Sequence, residues 1–287
     1  MMARILTAWD PDVSVLLGCM ALLAGCWAMH RKQPKRAGWF VAGVGIVLIA
    51  LTSPLDRLGD EYLFSAHMLQ HLLLVLGMPP LVLLGLTPHF ARRILGCRPV
   101  GSIEQVLGNP FVAWLVGTGL LTLWHVPALF DAALNHEYVH ILEHLCLMVS
   151  ATIFWWPILA PLPECRLAPI AMQPYLLAGA IANSLLGVWL TFAPGQLYAA
   201  YLHPHDSLNI LATLRSGWGL TPAVDQQIGG LLMWVGGSFV FVTVMAVEVI
   251  RWLGSVDEEN LTTAWLNRTD NHAPKDTRNE LARITTV

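Results

Sequence analysis

YLFSAHMLQHLLLVLGMPPLVLLGLT, residues 62–87, runs for 26 positions without an Asp, Glu, Lys or Arg. A bilayer core about 30 Å thick is crossed by roughly 20 apolar residues in α-helix. The stretch therefore predicts a transmembrane helix, kinked where Pro79-Pro80 remove two amide donors. Six further runs, at 13–30, 38–55, 110–126, 138–160, 173–193 and 227–252, read the same way. Composition agrees: 55% of the 287 residues are hydrophobic, 12% are charged, and the mean hydropathy is +0.58. Soluble domains carry about twice that charge. The expected fold is all-α, a polytopic membrane helical bundle of about seven transmembrane helices. It comprises a membrane domain over 1–256 and a polar cytoplasmic tail over 257–287.

The apolar part of the first run, Val13 to Met29, is longer than a signal-peptide core, and its basic residues follow it. It is expected to be a retained helix. Pro110 near the start of the fourth run sits where a missing N–H costs nothing. Gly43-Val-Gly45, Gly117-Thr-Gly119 and Gly229-Gly230 mark places where helices can approach closely. Five cysteines without a C-x-x-C pair argue against a disulfide framework or a thiolate metal site. A short interfacial helix is expected around Leu208 to Arg215, in the long loop 194–226.

Basic residues set the expected orientation. With the N-terminus outside, 13 of the 16 Lys and Arg fall on the cytoplasmic side, leaving Arg4, Arg57 and Arg215 outside. An odd number of spans then puts the C-terminus inside.

In this topology eight of the eleven histidines, His67, His71, His125, His136, His140, His144, His203 and His205, lie at or just beneath the outer face. His67 and His71 are four residues apart on one helix face, and His140 and His144 repeat the spacing on another helix. His125 ends a third helix at the same depth. Imidazoles in lipid must find partners. Two i,i+4 pairs plus His125 define a candidate metal site of His67, His71, His125, His140 and His144. Imidazole suits Zn, Cu, Fe and Ni; a thioether from Met68 or Met233 would favour copper(I). Glu143 is a candidate carboxylate for orienting an imidazole. Asp131 and Asp225 are each either a gate at this layer or a local cap. His203 and His205 are either an entry relay or surface residues.

His136-Glu137-Tyr138-Val139-His140 also matches H-E-x-x-H, and His140-Ile-Leu-Glu143-His144 the inverted H-x-x-E-H. A helix dense in His and Glu yields both by chance, and His136 is expected off the helix end. The chain is thus expected not to be an enzyme. Alternatives are a heme-binding membrane protein, an intramembrane zinc-dependent hydrolase, with zinc or heme in place of copper, and a transporter for copper or another small ligand. Asn183 and Glu248 are isolated among the few polar residues deep in the spans, which argues against a transport path.

Four segments together carry a family resemblance: His67-Met-Leu-Gln-His71 running to Met78-Pro79-Pro80; Trp124-His125-Val126-Pro127-Ala128-Leu129-Phe130-Asp131; Glu143-His144 with Phe154-Trp155-Trp156-Pro157; and Asp225-Gln226-Gln227-Ile228-Gly229-Gly230 with Met233-Trp234. In this order they resemble the CtaG-type assembly factors of caa-type cytochrome c oxidases, over roughly 12–252. Gly236 departs from the pattern, where many relatives carry proline. The resemblance implies a bacterial inner-membrane protein that matures a heme–copper oxidase by delivering copper. Its implied partners are oxidase subunits and periplasmic copper carriers, besides the lipid bilayer, and not nucleic acid.

Overall fold

A computed structural model describes the backbone of residues 2–30 and 34–272, and side chains within 4–30 and 36–255. All regular structure among the described residues is helical. The elements that matter are α1 (Val13–His30), α2 (Pro34–Thr52), α3 (Pro54–Glu61), α4 (Phe64–Gly85), α5 (Pro110–Trp124), α6 (Pro127–Asn135), α7 (Glu137–Leu159), α8 (Pro169–Phe192) and α9 (Pro222–Ser255). The chain divides into a unit over Met1–Val242 and a second over Thr243–Val287. The last helix, Gly237–His272, reaches the start of the expected tail; residues 273–287 of that tail lie outside the described residues.

Five helices, α1, α4, α7, α8 and α9, are each long and apolar enough to cross a membrane. The other two expected spans are bent. Residues 36–52 meet α3 at 46°, and Arg98–Leu107 meets α5 at 81°, which makes seven spans if each bent pair counts as one. Both breaks are written in the sequence as a capping residue followed by proline. Ser53 accepts from Leu55 N ahead of Pro54, and Asn109 accepts from Phe111 N ahead of Pro110. Each pair starts a new helix in a new direction. At 15 residues α5 is only about 22 Å long.

The kink in α4 takes the form of a π-helical turn, Leu73–Gly77, directly before Met78-Pro79-Pro80. Pro79 has no N–H to give the carbonyl of Val75 four residues back. The indole of Trp155 on α7 donates to that carbonyl instead, at 3.0 Å. A second π turn, Leu232–Gly236, interrupts α9, and Gly236 closes it. There the Asn183 amide on α8 donates to the Met233 carbonyl at 2.7 Å. Both helix defects are thus tied to a neighbouring helix by a buried side chain.

One glycine of each of the first two expected pairs makes a close approach, Gly43 to Val82 and Gly117 to Phe154, and in the third pair both do, Gly229 to Phe64 and Gly230 to Thr191. Gly45 and Gly119 face open space. Histidine outside the spans' common layer has a bland explanation: His30 is buried and bridges the carbonyls of Cys26 and Gly85 through its two ring nitrogens.

Candidate metal centre

The two i,i+4 pairs behave as helix geometry requires. Ring centroids are 4.3 Å apart within His67–His71 on α4 and 4.3 Å within His140–His144 on α7. The two pairs face each other. His67 lies 5.5 Å from His140 and 5.8 Å from His144, and His71 lies 5.6 Å from His144. His125, at the end of α5, stands 5.5 Å from His71. All five expected histidines therefore form one contiguous cluster at one end of the bundle. His67, His71 and His125 are fully buried.

Glu143 enters the cluster from the same face of α7 as His140 and His144. It is 0% exposed, and its carboxylate oxygens lie 3.9 Å from His67 Nε2 and 3.7 Å from His71 Nε2. One ligand atom each from His67, His140, Glu143 and His144 all lie within 4.8 Å of one another. Ligands of a tetrahedral ion with bonds of ~2.0–2.1 Å stand about 3.3 Å apart. The donor set therefore suits a cation such as Zn or Cu, and the space between is of the right order.

Asp60 on α3 was not anticipated from the sequence. Its Oδ1 lies 3.4 Å from His67 Nδ1 and 3.5 Å from His140 Nε2, spanning the two helices. Gly59 favours this approach: a Cβ there would stand 3.0 Å from the His67 backbone, and α3 or α4 would have to give way by a few tenths of an ångström. The signal in the sequence was Asp56 and Asp60, four residues apart at the cluster's layer. Asp56 has a separate task, accepting from the Gln70 amide at 2.6 Å while Gln70 also donates to the Ala50 carbonyl.

Few of these polar atoms have hydrogen bonds. Asp60 Oδ1, both nitrogens of His67 and of His71, Nε2 of His140 and of His144, and both oxygens of Glu143 are buried without a partner. Buried polar groups are ordinarily paired, and each exception costs about 1–3 kcal/mol or more. Nine such atoms in one cluster, three of them carboxylate oxygens, are what a cation would satisfy.

An aromatic roof covers the cluster at the end of the bundle. Phe130 on α6 packs 5.1 Å from His67, and Tyr198 packs 4.1 Å from Phe130 and 4.8 Å from Phe64. The Tyr198 hydroxyl donates to the His125 carbonyl at 2.9 Å, and Tyr201 donates to Gly59 O at 2.7 Å. Burial, then neighbouring carboxylates, push both phenols up, which keeps them donors. The roof loop is pinned by Asp131, which accepts from Ala199 N and Ala200 N, and by Gln226, which accepts from Leu197 N. Asp131 is thus a loop anchor. The loop's expected interfacial helix is a short helical stretch over 211–217, ending in the π segment Thr213–Gly217.

Asp225 caps a helix other than its own. The α9 cap is Thr221, which accepts from Val224 N, so the helix starts five residues earlier than the apolar run. Asp225 reaches across to the start of α4, accepting from Phe64 N at 2.7 Å, Ser65 N at 3.2 Å and Ser65 Oγ at 2.5 Å. It fixes the helix that carries His67 and His71. His203 and His205 lie exposed on the loop, outside the cluster, as does His136. His136 has extended backbone at the α7 N-cap and Glu137 is exposed, so the H-E-x-x-H register does not converge. The overlapping H-x-x-E-H residues do. Met233 is buried in the same apolar core as Met68, which confirms that α4 and α9 adjoin.

The cluster opens sideways. A groove of about 990 Å³ runs between α1 and α7, with Val44, Val47, Met78 and Val82 behind it. His140, His144 and Asp60 line it, with Asp10, Asp12, Asp56 and Glu137.

Fold and site together define a polytopic helical membrane protein with a buried imidazole–carboxylate centre under a pinned aromatic roof. The chain belongs to the cytochrome c oxidase caa3 assembly factor family (Caa3_CtaG), whose model matches residues 20–255. It is also similar to uncharacterized proteins of Mycobacterium leprae (strain TN), 23% identical over 274 residues, and Mycobacterium bovis (strain ATCC BAA-935 / AF2122/97), 23% identical over 273 residues. Each match covers 87% of this chain and 40% of the relative, so the chain spans well under half the length of these curated relatives. No solved structure matches.

Proposed function

We propose that this chain assists assembly of a heme–copper cytochrome c oxidase in the bacterial inner membrane by holding copper as cargo and passing it on. The histidine end would face outward, a placement that the distribution of basic residues supports. Family membership supports the assembly role. The observation that carries the metal is the set of nine buried, unpartnered nitrogen and oxygen atoms from Asp60, His67, His71, His140, Glu143 and His144. His67, His140, His144 and Glu143 would hold the ion first, since their atoms converge and two of them border the groove. Glu143 would offset the cation's charge within the membrane. Asp60 would orient His67 and His140. Transfer is ligand exchange along the cluster toward His71 and His125, with no bond of a substrate broken. The acidic residues at the groove mouth favour approach of cations. A heme would require a flat slot between two of the rings, which the other imidazoles and Phe130 fill.

The test is metal analysis with an absorption spectrum of detergent-purified full chain, beside a His67→Ala/His71→Ala variant. Copper in the wild type and none in the variant is expected. Zinc, a heme Soret band, or copper unchanged by the double substitution would overturn the assignment.

A further inference from the structure

The cluster is not chemically uniform. At its α5 edge the His125 Nδ1 lies 2.7 Å from the Leu121 carbonyl, while Nε2 lies 3.3 Å from the Met68 sulfur. A carbonyl at 2.7 Å can only accept, so the ring proton of neutral His125 belongs on Nδ1. That leaves a bare lone pair on Nε2 facing a thioether, which has no proton to give. Two acceptors thus face each other in a fully buried place with no donor between them. His71, with both ring nitrogens unpartnered, stands 5.5 Å away by ring centroids. His125 and Met68 meet each other and no carboxylate, whereas His71, whose Nε2 lies 3.7 Å from Glu143, stands between them and the His67, His140, His144 and Glu143 group.

We propose that His125 and Met68, completed by His71, form a second subsite selective for a soft monovalent cation, copper(I), next to the nitrogen–oxygen subsite around Glu143. The inference rests on the metal-holding role proposed above and divides it in two. Thioether and imidazole favour copper(I), whereas a carboxylate with imidazoles accepts divalent ions. The subsite is built rather than incidental. The His125 ring is fixed by Leu121 O, its backbone carbonyl by the Tyr198 hydroxyl. Met68 is seated against Gly229, where a Cβ would come within 3.1 Å of the Met68 Cγ and 2.4 Å of the Phe64 ring. Met68 follows His67 by one residue, so it points about 100° around α4, away from Glu143 and toward α5 and α9.

The experiment titrates purified full chain with Ag(I), a stand-in for copper(I), and separately with Co(II), for wild type, Met68→Leu and His140→Ala. X-ray absorption of anaerobic copper(I)-loaded wild type gives a readout that depends on no variant. Expected are a sulfur scatterer in the copper shell, an Ag(I) affinity at least about ten-fold weaker in Met68→Leu, and Co(II) affinity changed less than two-fold there. His140→Ala should weaken Co(II) more than Ag(I). Two outcomes overturn the proposal alone: Ag(I) bound equally by wild type and Met68→Leu with no sulfur in the copper shell, or Co(II) bound and Ag(I) not. Wild type that binds neither ion would remove the metal-holding role itself.

Discussion

Asp225 and Glu143 are both fully buried carboxylates within reach of α4, and the fold treats them in opposite ways. Asp225 accepts from two backbone amides and a hydroxyl at the start of the helix. Glu143, about one turn further along at the level of His67 and His71, accepts from nothing. A satisfied buried carboxylate is architecture: it fixes where a helix begins. An unsatisfied one among unpaired imidazoles costs stability, a cost that a bound cation would offset.

Substitutions can break that contrast. The largest effect is expected at Asp225. Replacing it by Ala strands two amides and frees the α4 start, lowering stability in detergent by about 3 kcal/mol, read by thermal unfolding without metal. If Asp225→Ala melts like wild type but loses metal, the architectural role is wrong. Glu143→Gln should do the reverse. Metal-free protein should melt at the same or a higher temperature, while copper affinity falls roughly 10–100-fold, about 1.4–2.7 kcal/mol. Chelation should accordingly lower the melting point of wild type more than that of Glu143→Gln. Asp60→Asn keeps the shape and removes a charge at the cluster's edge; copper affinity should fall by only about ten-fold or less. Smallest of all, His203→Ala/His205→Ala should leave copper content and affinity within about two-fold of wild type. A larger loss would restore these exposed histidines to the path that the roof now closes.

Much of this was legible in the residues. Helical spacing put His67 with His71 and His140 with His144, and the apolar runs located the long spans. What periodicity describes, however, is one helix at a time. The pairing of Asp60 with His67 and His140 depends on how closely α3 approaches α4, which Gly59 favours. Asp225 looked like a cap for its own helix because it precedes an apolar run; Thr221-Pro222 starts the helix earlier and frees Asp225 to serve α4. The bends after Thr52 and before Pro110 were signalled by Ser53-Pro54 and Asn109-Pro110, but their angles come from packing. Pro79-Pro80 announced a defect in α4; that Trp155 takes up the released carbonyl was visible only once α7 lay beside it.

The groove between α1 and α7 has a kinetic meaning. With the end of the bundle sealed by a pinned loop, the route left to the centre leads along its flank. In the proposed role, a partner embedded in the same bilayer would meet that flank by diffusing in two dimensions, already confined to the right depth. Exchange with such a partner would follow its density per unit membrane area, and a soluble donor would have to reach down past the groove's acidic rim to compete.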